Sequence, residues 1–426
     1  MAAVAEMYTS GGMIGGWVTT IIVVVIVVAV LLGVWSNFIQ PNTSNLPTPD
    51  NMARIATERG AAIELANVAL NTTKTPMPVL GNDRNFLINQ HVLATTGSGY
   101  LGPPINGVYS EQRAIALALQ AGVRCFVFDI DEIKQQPRLI AHTPNGVRVC
   151  LNNGYFSKGA CSSNMGAFEP MVGTVQNIWE NDPLIFYLRF KKAPSTACAQ
   201  NIADALYRIR SYILRGNAKG EFNHRKSESQ LFFLNNEDLS KKIIILSNID
   251  TGAYNSPTAQ GAKPSLDFYV HGRVYDVNTN QSDINTRYAM EVSLPYIMGL
   301  DDNGISEMVK KTRVQWHILV NNDLGHSYTK AEIDRARACG IQAIAGFVFD
   351  DVIKDAAIAK EAAKQTGGAT PKERVPLLQV FRQDNKHGAF VAKKQEHQYV
   401  RPKQVPVESA PQEFNSNGGM LKMPTM

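Results

Sequence analysis

AGVRCFVFDID, the stretch Ala121–Asp131, is largely apolar and ends with the aspartates Asp129 and Asp131. A comparable run, LIFYLRF, occupies Leu184–Phe190. Apolar runs of this length without regular alternation are typical of strands that are buried on both faces of a parallel sheet. Patterns with helical spacing lie between such runs. The sequence therefore predicts an α/β fold built from strand-helix repeats.

The rest of the chain body continues this alternation, and we count about eight strands, the number in a closed (β/α)8 TIM barrel. The predicted strands are Phe86–Gln90, Val123–Asp131, Arg138–His142, Leu184–Phe190, Ile243–Ile249, Val314–Val320, Ile341–Phe349 and Gly388–Lys394. The predicted helices are Glu111–Gln120, Ala167–Glu180, Cys198–Leu214, Thr329–Ala338 with a capping box, and Asp355–Lys364. Residues 250–304 lose the alternation and are interpreted as a long insertion.

WVTTIIVVVIVVAVLLGVW, at Trp17–Trp35, carries no charged residue. At about 19 residues it is long enough to cross the hydrocarbon core of a bilayer as a helix. It predicts a transmembrane helix and a single-pass membrane protein, with a cleaved signal peptide or a pair of buried strands as the alternatives. Because the first basic residue of the chain is Arg54, the charge rule fixes neither the side of the membrane nor the compartment.

The predicted division of the chain is an N-terminal segment 1–16, the transmembrane helix 17–35, a linker with a short helix 36–80, the barrel 81–403 and a flexible tail 404–426. The tail is open to protein partners. The 42 basic and 37 acidic residues give a net charge of +5 without a long basic run, so we expect membrane lipid and no nucleic acid as a partner. The five cysteines lack metal-binding spacing, and no cofactor is expected; Cys150 and Cys161 pair only in an oxidising compartment.

Polar side chains end each of the first four predicted strands. They are His91, Asp129 with Asp131, His142 and Arg189. Since the carboxyl ends of barrel strands meet at one mouth, we expect these side chains to lie together. Two imidazoles across a phosphate suit in-line displacement, one as base and the other as acid. The alternative for a single histidine is a structural role, which we predict for His317 in its apolar strand, and His326 is predicted to be a cap or surface residue.

The order of several motifs resembles the phosphatidylinositol-specific phospholipase C X-domain-like phosphodiesterases. Ala121–Asp131 is similar to that family's G-[VI]-R-x-x-x-x-D strand, and His142 ends the next predicted strand. CSSNMGAFEPMVGTVQNIWENDPLIFYLRF, at Cys161–Phe190, resembles the family's AF-x-P helix, Asn-Pro turn and fourth strand. GIQAIAGFVFDD and GAFVAKKQEHQYVRPK, at Gly340–Asp351 and Gly388–Lys403, resemble its closing strands.

The resemblance implies a distorted (β/α)8 barrel that cleaves phosphodiesters through a cyclic phosphate. It implies that His91 is the family's first histidine, a base or phosphate-binding group, and that His142 is the general acid. Asp129 would be the acid of the second strand.

The chain departs from the family pattern at three positions. Val92 replaces the Asn or Asp that follows the first histidine, while Val127 and Arg189 replace glutamates of the calcium-using members. A hard cation needs several oxygen ligands, so calcium is not expected at this mouth. Instead we expect Arg189 to replace the metal and to bind phosphate oxygens.

Two functions follow from this resemblance. One is a membrane-anchored phosphodiesterase that cleaves a phospholipid or another phosphodiester without calcium. The other is a catalytically degenerate barrel that serves as a membrane-tethered structural or interaction protein, for example in a virion; a lectin or lipid-binding module is a third class. The permanent anchor slightly favours the second function. The position of Arg189 discriminates: pointing into an open site between two imidazoles favours the enzyme, whereas a salt bridge to Asp129 that fills the pocket favours the scaffold.

Overall fold

The structure of the chain is a computed structural model. It describes residues 80–81, 83–101, 108–109, 111–140, 182–214, 228–254, 264–278, 289–321, 326, 328–348, 377–384 and 389–401. Within these ranges, no helix has both the length and the apolar character that a membrane crossing requires. Several predicted features lie outside them: the transmembrane helix 17–35, nearly all of the linker 36–80, His142, Cys150, Cys161, two predicted helices and the tail 404–426.

Strands of the described chain form one large sheet and a small hairpin. They are β1 (Gln90–Thr95), β2 (Tyr100–Leu101), β3 (Val108–Tyr109), β4 (Cys125–Ile133), β5 (Gln136–Leu139), β6 (Leu184–Phe190), β7 (Ile243–Ser247), β8 (Gly272–Asp276), β9 (Ala289–Val292), β10 (Trp316–Val320), β11 (Ala343–Gly346) and β12 (Phe390–Ala392). The sheet order is β12-β1-β11-β10-β9-β8-β7-β6-β4-β5, and β1 also pairs with β4. This last pairing closes a barrel of eight parallel strands, which confirms the predicted TIM-barrel architecture.

Helices connect the barrel strands. They are α1 (Glu111–Gln120), α2 (Thr196–Tyr207), α3 (Leu266–Tyr269), α4 (Leu294–Met298), α5 (Asp302–Thr312), α6 (Lys330–Ala338) and α7 (Leu377–Asp384). The predicted capping box of α6 is present: the Thr329 hydroxyl accepts from the Glu332 amide, and the Glu332 carboxylate accepts from the Thr329 amide. Such caps satisfy backbone donors that the first helical turn leaves unpaired.

Side chains alternate between the two faces of the barrel wall. On β6, Ile185 and Tyr187 lie in the barrel interior, whereas Leu184, Phe186 and Leu188 pack in the outer layer between the wall and the helices. Both faces are therefore apolar, which is why the strands read as nearly continuous hydrophobic runs. A fully buried apolar side chain of this size contributes roughly 1.5–3 kcal/mol through removal from water.

The amino ends of the strands are covered by Phe86, the 3-10 turn Leu87–Asn89 and the segment after β12, which together we call the plug. This end of the barrel is its closed end. The chain enters the barrel there through Phe86 and the 3-10 turn Leu87–Asn89, and the segment that follows β12 returns to the same place. Tyr399 packs edge-on against Phe86, and its backbone exchanges two hydrogen bonds with the side chain of Asn89. Trp316 stacks on Phe232 inside the barrel. The plug leaves the opposite, carboxyl end of the strands as the mouth.

The individual strand predictions hold only in part. Those confirmed correspond to β4, β6, β7, β10 and β11. The predicted strand Phe86–Gln90 is wrong, because the strand begins where this prediction ends. Arg138–His142 and Gly388–Lys394 overlap β5 and β12, which are antiparallel additions at the sheet edges and not barrel strands. Residues 250–304 contain β8 and β9, so the predicted insertion contributes two strands of the barrel wall.

Candidate functional site

Three charged side chains meet at the mouth. Asp129 and Arg189 are direct neighbours in the register of β4 and β6, and Arg189 Nη1 donates to Asp129 Oδ1 over 2.9 Å. Arg189 Nη2 lies 3.2 Å from Glu291 Oε1 on β9. Since β7 and β8 separate β6 from β9 in the wall, this second contact crosses the barrel interior. The guanidinium of Arg189 therefore bridges the mouth between two carboxylates.

Tyr187 supports the bridge from one layer deeper in the barrel. Its hydroxyl donates to Glu291 Oε2 over 2.6 Å, and its side chain is 1% exposed. The layer around it is apolar and includes Val127 and Leu246. The four residues Asp129, Tyr187, Arg189 and Glu291, which we call the mouth cluster, are thus linked to one another by hydrogen bonds and ion pairs.

Burial and pairing set the protonation of the mouth cluster. Burial raises the pKa of Glu291, while Arg189 and the Tyr187 hydroxyl oppose this rise. Burial, followed by the charge of Glu291, raises the pKa of Tyr187 well above its ordinary value. Burial by itself lowers the pKa of Arg189, but Asp129 and Glu291 reverse the effect and raise it. Arg189 is consequently a permanent cation at the centre of the cluster.

The structure corrects the position of His91. The prediction placed it beyond the first strand, but it is the second residue of β1 and lies at the closed end. Ala94 of β1 lies opposite Cys125 of the parallel strand β4. His91 lies three residues before Ala94, and Asp129 lies four residues after Cys125. At about 3.3 Å per residue they are roughly 20 Å apart along the strands. His91 therefore cannot act with Asp129 and Arg189.

The surroundings of His91 are those of a structural residue. It is 3% exposed, and its Nδ1 donates to the Ile341 carbonyl over 2.6 Å. Burial, followed by the charge of Lys393, lowers its pKa to about 3. A buried imidazole that is hydrogen-bonded to a backbone carbonyl is suited to a structural role at the closed end.

The loop that follows β1 has no titratable side chain in the stretch Thr96–Gly99. Gly97 and Gly99 have positive φ, and with Gly102 they form a GxGxxG spacing. A dinucleotide fingerprint needs a helix directly after such glycines, whereas β2 and β3 follow here. The carboxyl end of β1 thus brings neither an imidazole nor a dinucleotide motif to the mouth.

The other predicted residues have mixed outcomes. Asp131 is buried on β4 beyond Asp129, and its Oδ1 accepts from the Glu132 amide. His142 lies outside the described residues. His317 is buried as predicted, with burial lowering its pKa to about 3. His326 Nε2 is 3.2 Å from the Glu332 carboxylate at the start of α6.

Glu291 and Tyr187 were not predicted from the sequence. Glu291 is the single charged residue of β9, AMEV, which lies in the segment interpreted as an insertion. A carboxylate inside a short apolar strand was a usable signal, but the strand itself was not recognised. Tyr187 gave no signal in the sequence, because an aromatic residue in an apolar strand is usually an ordinary core residue.

No family model matches the sequence, and a search of curated proteins also found no match. Among solved structures, PLC21 of S. officinalis is similar at 15% identity and a TM-score of 0.48, over 74% of this chain and 38% of that one. The calcium-dependent phosphoinositol-specific phospholipase C of Pseudomonas sp is 12% identical with a TM-score of 0.39, over 64% of this chain and 94% of that one. The calcium-dependent phosphatidylinositol-specific phospholipase C of Streptomyces antibioticus is 12% identical with a TM-score of 0.40, over 63% and 96%.

These structures belong to the phospholipase C class that the sequence motifs resemble. The chain itself is a closed parallel α/β barrel whose mouth is bridged by an ion-paired arginine. It spans 38% of the length of the S. officinalis protein. At such identities and TM-scores the likeness is a distant one, and function has to be argued from the mouth cluster.

Proposed function

We propose that this protein is a membrane-tethered barrel that does not hydrolyse phosphodiesters and serves as a structural or interaction protein. The observation that carries the proposal is the position of Arg189, whose guanidinium is engaged by Asp129 and Glu291 at 2.9 and 3.2 Å. A phosphate group would have to compete with both carboxylates for the guanidinium. Each carboxylate left behind in a buried site would carry a desolvation cost of several kcal/mol.

The charge of the mouth cluster also disfavours a phosphodiester. Asp129 and Glu291 set two carboxyl groups against the single positive charge of Arg189. A phosphodiester is itself an anion, and the cluster offers it no excess of positive charge. The same cluster is well suited to stabilising the barrel, because a buried network of hydrogen bonds and ion pairs holds its members in one arrangement.

Hydrolysis by two histidines is the competing function, and it lacks its first histidine. His91 is enclosed at the closed end, and the described loop after β1 offers no replacement. His142 is the one predicted imidazole that could still serve at the mouth. The membrane tether of the proposal rests on Trp17–Trp35, an uncharged segment of spanning length.

A turnover assay on the full-length protein tests the proposal. Phosphatidylinositol in mixed micelles and a soluble glycerophosphodiester would each be incubated with the protein, once with calcium and once with excess chelator. We expect no release of phosphorylated headgroup above that of a His142→Ala variant. Hydrolysis that is lost in both Arg189→Ala and His142→Ala would overturn the proposal in favour of a calcium-independent enzyme. Hydrolysis that requires calcium would overturn both interpretations.

A further inference from the structure

Both ends of the described barrel leave from its closed end. The Arg401 amide donates to the Asp83 carbonyl over 3.0 Å, and the Arg401 guanidinium lies 4.6 Å from the centre of the Phe86 ring. The chain that precedes Asp83 and the chain that follows Arg401 therefore attach side by side. A membrane anchor in the N-terminal part of the chain would consequently be joined to the closed end and not to the mouth.

Basic side chains surround this same end at three places in the wall. Lys241 and Lys242 directly precede β7, and Lys310, Lys311 and Arg313 precede β10. Lys394 and Arg401 follow β12, which pairs with the beginning of β1. We call these seven residues the basic tripod: Lys241, Lys242, Lys310, Lys311, Arg313, Lys394 and Arg401.

The basic tripod has three legs, which are the residues before β7, those before β10 and those after β12, and these legs are spread around the barrel. In the closed order of strands, two strands separate β7 from β10, and one separates β10 from β1. The legs thus enclose the closed end and do not form a line along one side. Such an arrangement fits a broad, flat, negatively charged surface better than a narrow ligand.

Exposure of the tripod supports contact with such a surface. Lys241, Lys310, Lys394 and Arg401 are exposed. The acidic side chains exposed at this end are Asp83, Glu237, Asp238, Glu307 and Glu396, five against the seven basic residues of the tripod, and Glu307 pairs with Lys310. Of the large apolar side chains that are most exposed in the described ranges, Val314 at 47% and Val400 at 43% flank Arg313 and Arg401 in sequence. Cations interspersed with apolar side chains are suited to the interface of an anionic bilayer.

We propose that the closed end docks on an anionic lipid surface through the basic tripod, so that the mouth faces away from the membrane. This inference rests on the membrane anchor of the proposed function. Docking by this end places the plug against the headgroups and the mouth cluster on the far side of the barrel. It reverses the orientation that a lipid-cleaving enzyme would need, and leaves the mouth side for protein contacts.

Lysine acetylation of the full-length chain in vesicles tests the orientation. The chain would be reconstituted in vesicles of phosphatidylcholine, with or without phosphatidylserine, and labelled with a water-soluble acetylating reagent. We expect Lys241, Lys310 and Lys394 to react roughly fivefold more slowly in the anionic vesicles, as anionic lipid attracts each nearby cation. At about 1 M salt, where the Debye length is roughly 3 Å, the protection should disappear.

Lysines on the mouth side are the internal control. Lys134 lies at the tip of the β4–β5 hairpin, and Lys191 and Lys192 follow the end of β6; all three are exposed. Their reaction rates should be the same in both vesicles. The proposal would be overturned if the tripod lysines were acetylated at equal rates in both kinds of vesicle. It would also be overturned if the control lysines were acetylated more slowly in the anionic vesicles.

Matched charge reversals separate the effect of the tripod on protection from the effect of the net charge of the protein. In K241E/K310E/K394E, with one change in each leg, the remaining Lys242 and Lys311 should lose their protection. K134E/K191E/K192E changes the net charge equally and should keep the protection. Retention of the chain on vesicles at high salt tests the anchor separately. Loss of the chain with tripod protection at low salt would refute the anchor alone, whereas retention without protection would refute the docking.

Discussion

The two ends of the barrel bury polar groups by opposite means. At the mouth, Arg189 keeps its charge because two carboxylates surround it. At the closed end, His91, His317 and Lys393 are all buried, and burial lowers the pKa of each. The Lys393 amine donates to the Thr312 carbonyl over 2.9 Å. The mouth therefore keeps its buried charges by pairing them, whereas burial at the closed end disfavours the charged forms of its buried histidines and lysine.

Removing the arginine should have the largest effect. Arg189→Ala leaves Asp129 and Glu291 buried without their cation, so we expect the free energy of unfolding to fall by about 3–5 kcal/mol. Chemical denaturation at neutral pH measures this change. Arg189→Lys should retain part of the stability, because the charge remains while the two-sided geometry is lost.

An exposed ion pair provides the control for this prediction. Lys310 contacts Glu307 on the surface of α5 at 2.6 Å, and Lys310→Ala should leave the stability nearly unchanged. If Arg189→Ala were as mild as this control, the mouth cluster would not be a structural network, and an available phosphate-binding arginine would become the better interpretation.

Acid should destabilise the closed end. The pKa of His91 and of His317 is lowered from 6.5 to about 3 in the folded protein, first of all by burial. The unfolded chain therefore binds protons that the folded chain rejects. The stability from these neutral imidazoles is complete above pH 6.5 and falls as the pH drops towards 3, by at most about 1.4 kcal/mol per pH unit for each histidine.

Urea denaturation between pH 7.5 and 4.5 measures this dependence. His91→Gln should reduce the slope of stability against pH, even though it also loses some stability at pH 7.5. The same holds for His317→Gln. A slope that is the same in both variants and the unsubstituted protein would show that the histidines do not carry the acid sensitivity.

Much of the fold could be predicted from the sequence, although some strands were recognised correctly and others were not. The strands β4, β6 and β7 are apolar on both faces, which is the pattern that buried parallel strands produce. The total of about eight strands was right. However, it included the edge strands β5 and β12 and omitted β8 and β9, which are short and carry the polar residues Arg273, Asp276 and Glu291.

The candidate site was predicted where the strand boundaries were right. Asp129 and Arg189 were placed together because β4 and β6 were correctly recognised, and adjacent parallel strands fix their neighbours. His91 was misplaced because the 3-10 turn Leu87–Asn89 is as apolar as a strand. Composition cannot distinguish the two, so the start of β1 moved by several residues and its histidine moved to the wrong end.

A smaller effect is expected from Tyr187, which connects the mouth cluster to the apolar layer below. Tyr187→Phe removes the donor to Glu291 Oε2 but keeps the ring, so we expect a loss of about 1–3 kcal/mol from the unsatisfied acceptor. The loss should be larger in an Arg189→Ala background, because both residues satisfy the Glu291 carboxylate and the double variant lacks both partners. A double-mutant cycle measures this coupling, and strict additivity would contradict the network.

The smallest effect concerns backbone conformation at the two ends. Lys134 and Gln135 join β4 to β5 with φ of 50° and 61°, and a two-residue turn with both φ positive is of the type that favours Asn-Gly. Lys134→Asn with Gln135→Gly should raise the free energy of unfolding by about 0.5–1 kcal/mol, since it removes left-handed strain from larger side chains. Lys241, with φ of 56°, occupies the same region before β7, so Lys241→Gly should give a gain of similar size at the closed end. Thermal denaturation of the two variants compares their gains in stability. Equal gains would show that this strain is independent of charge burial, whereas a gain at the mouth with a loss at the closed end would mean that the Lys241 side chain stabilises the plug.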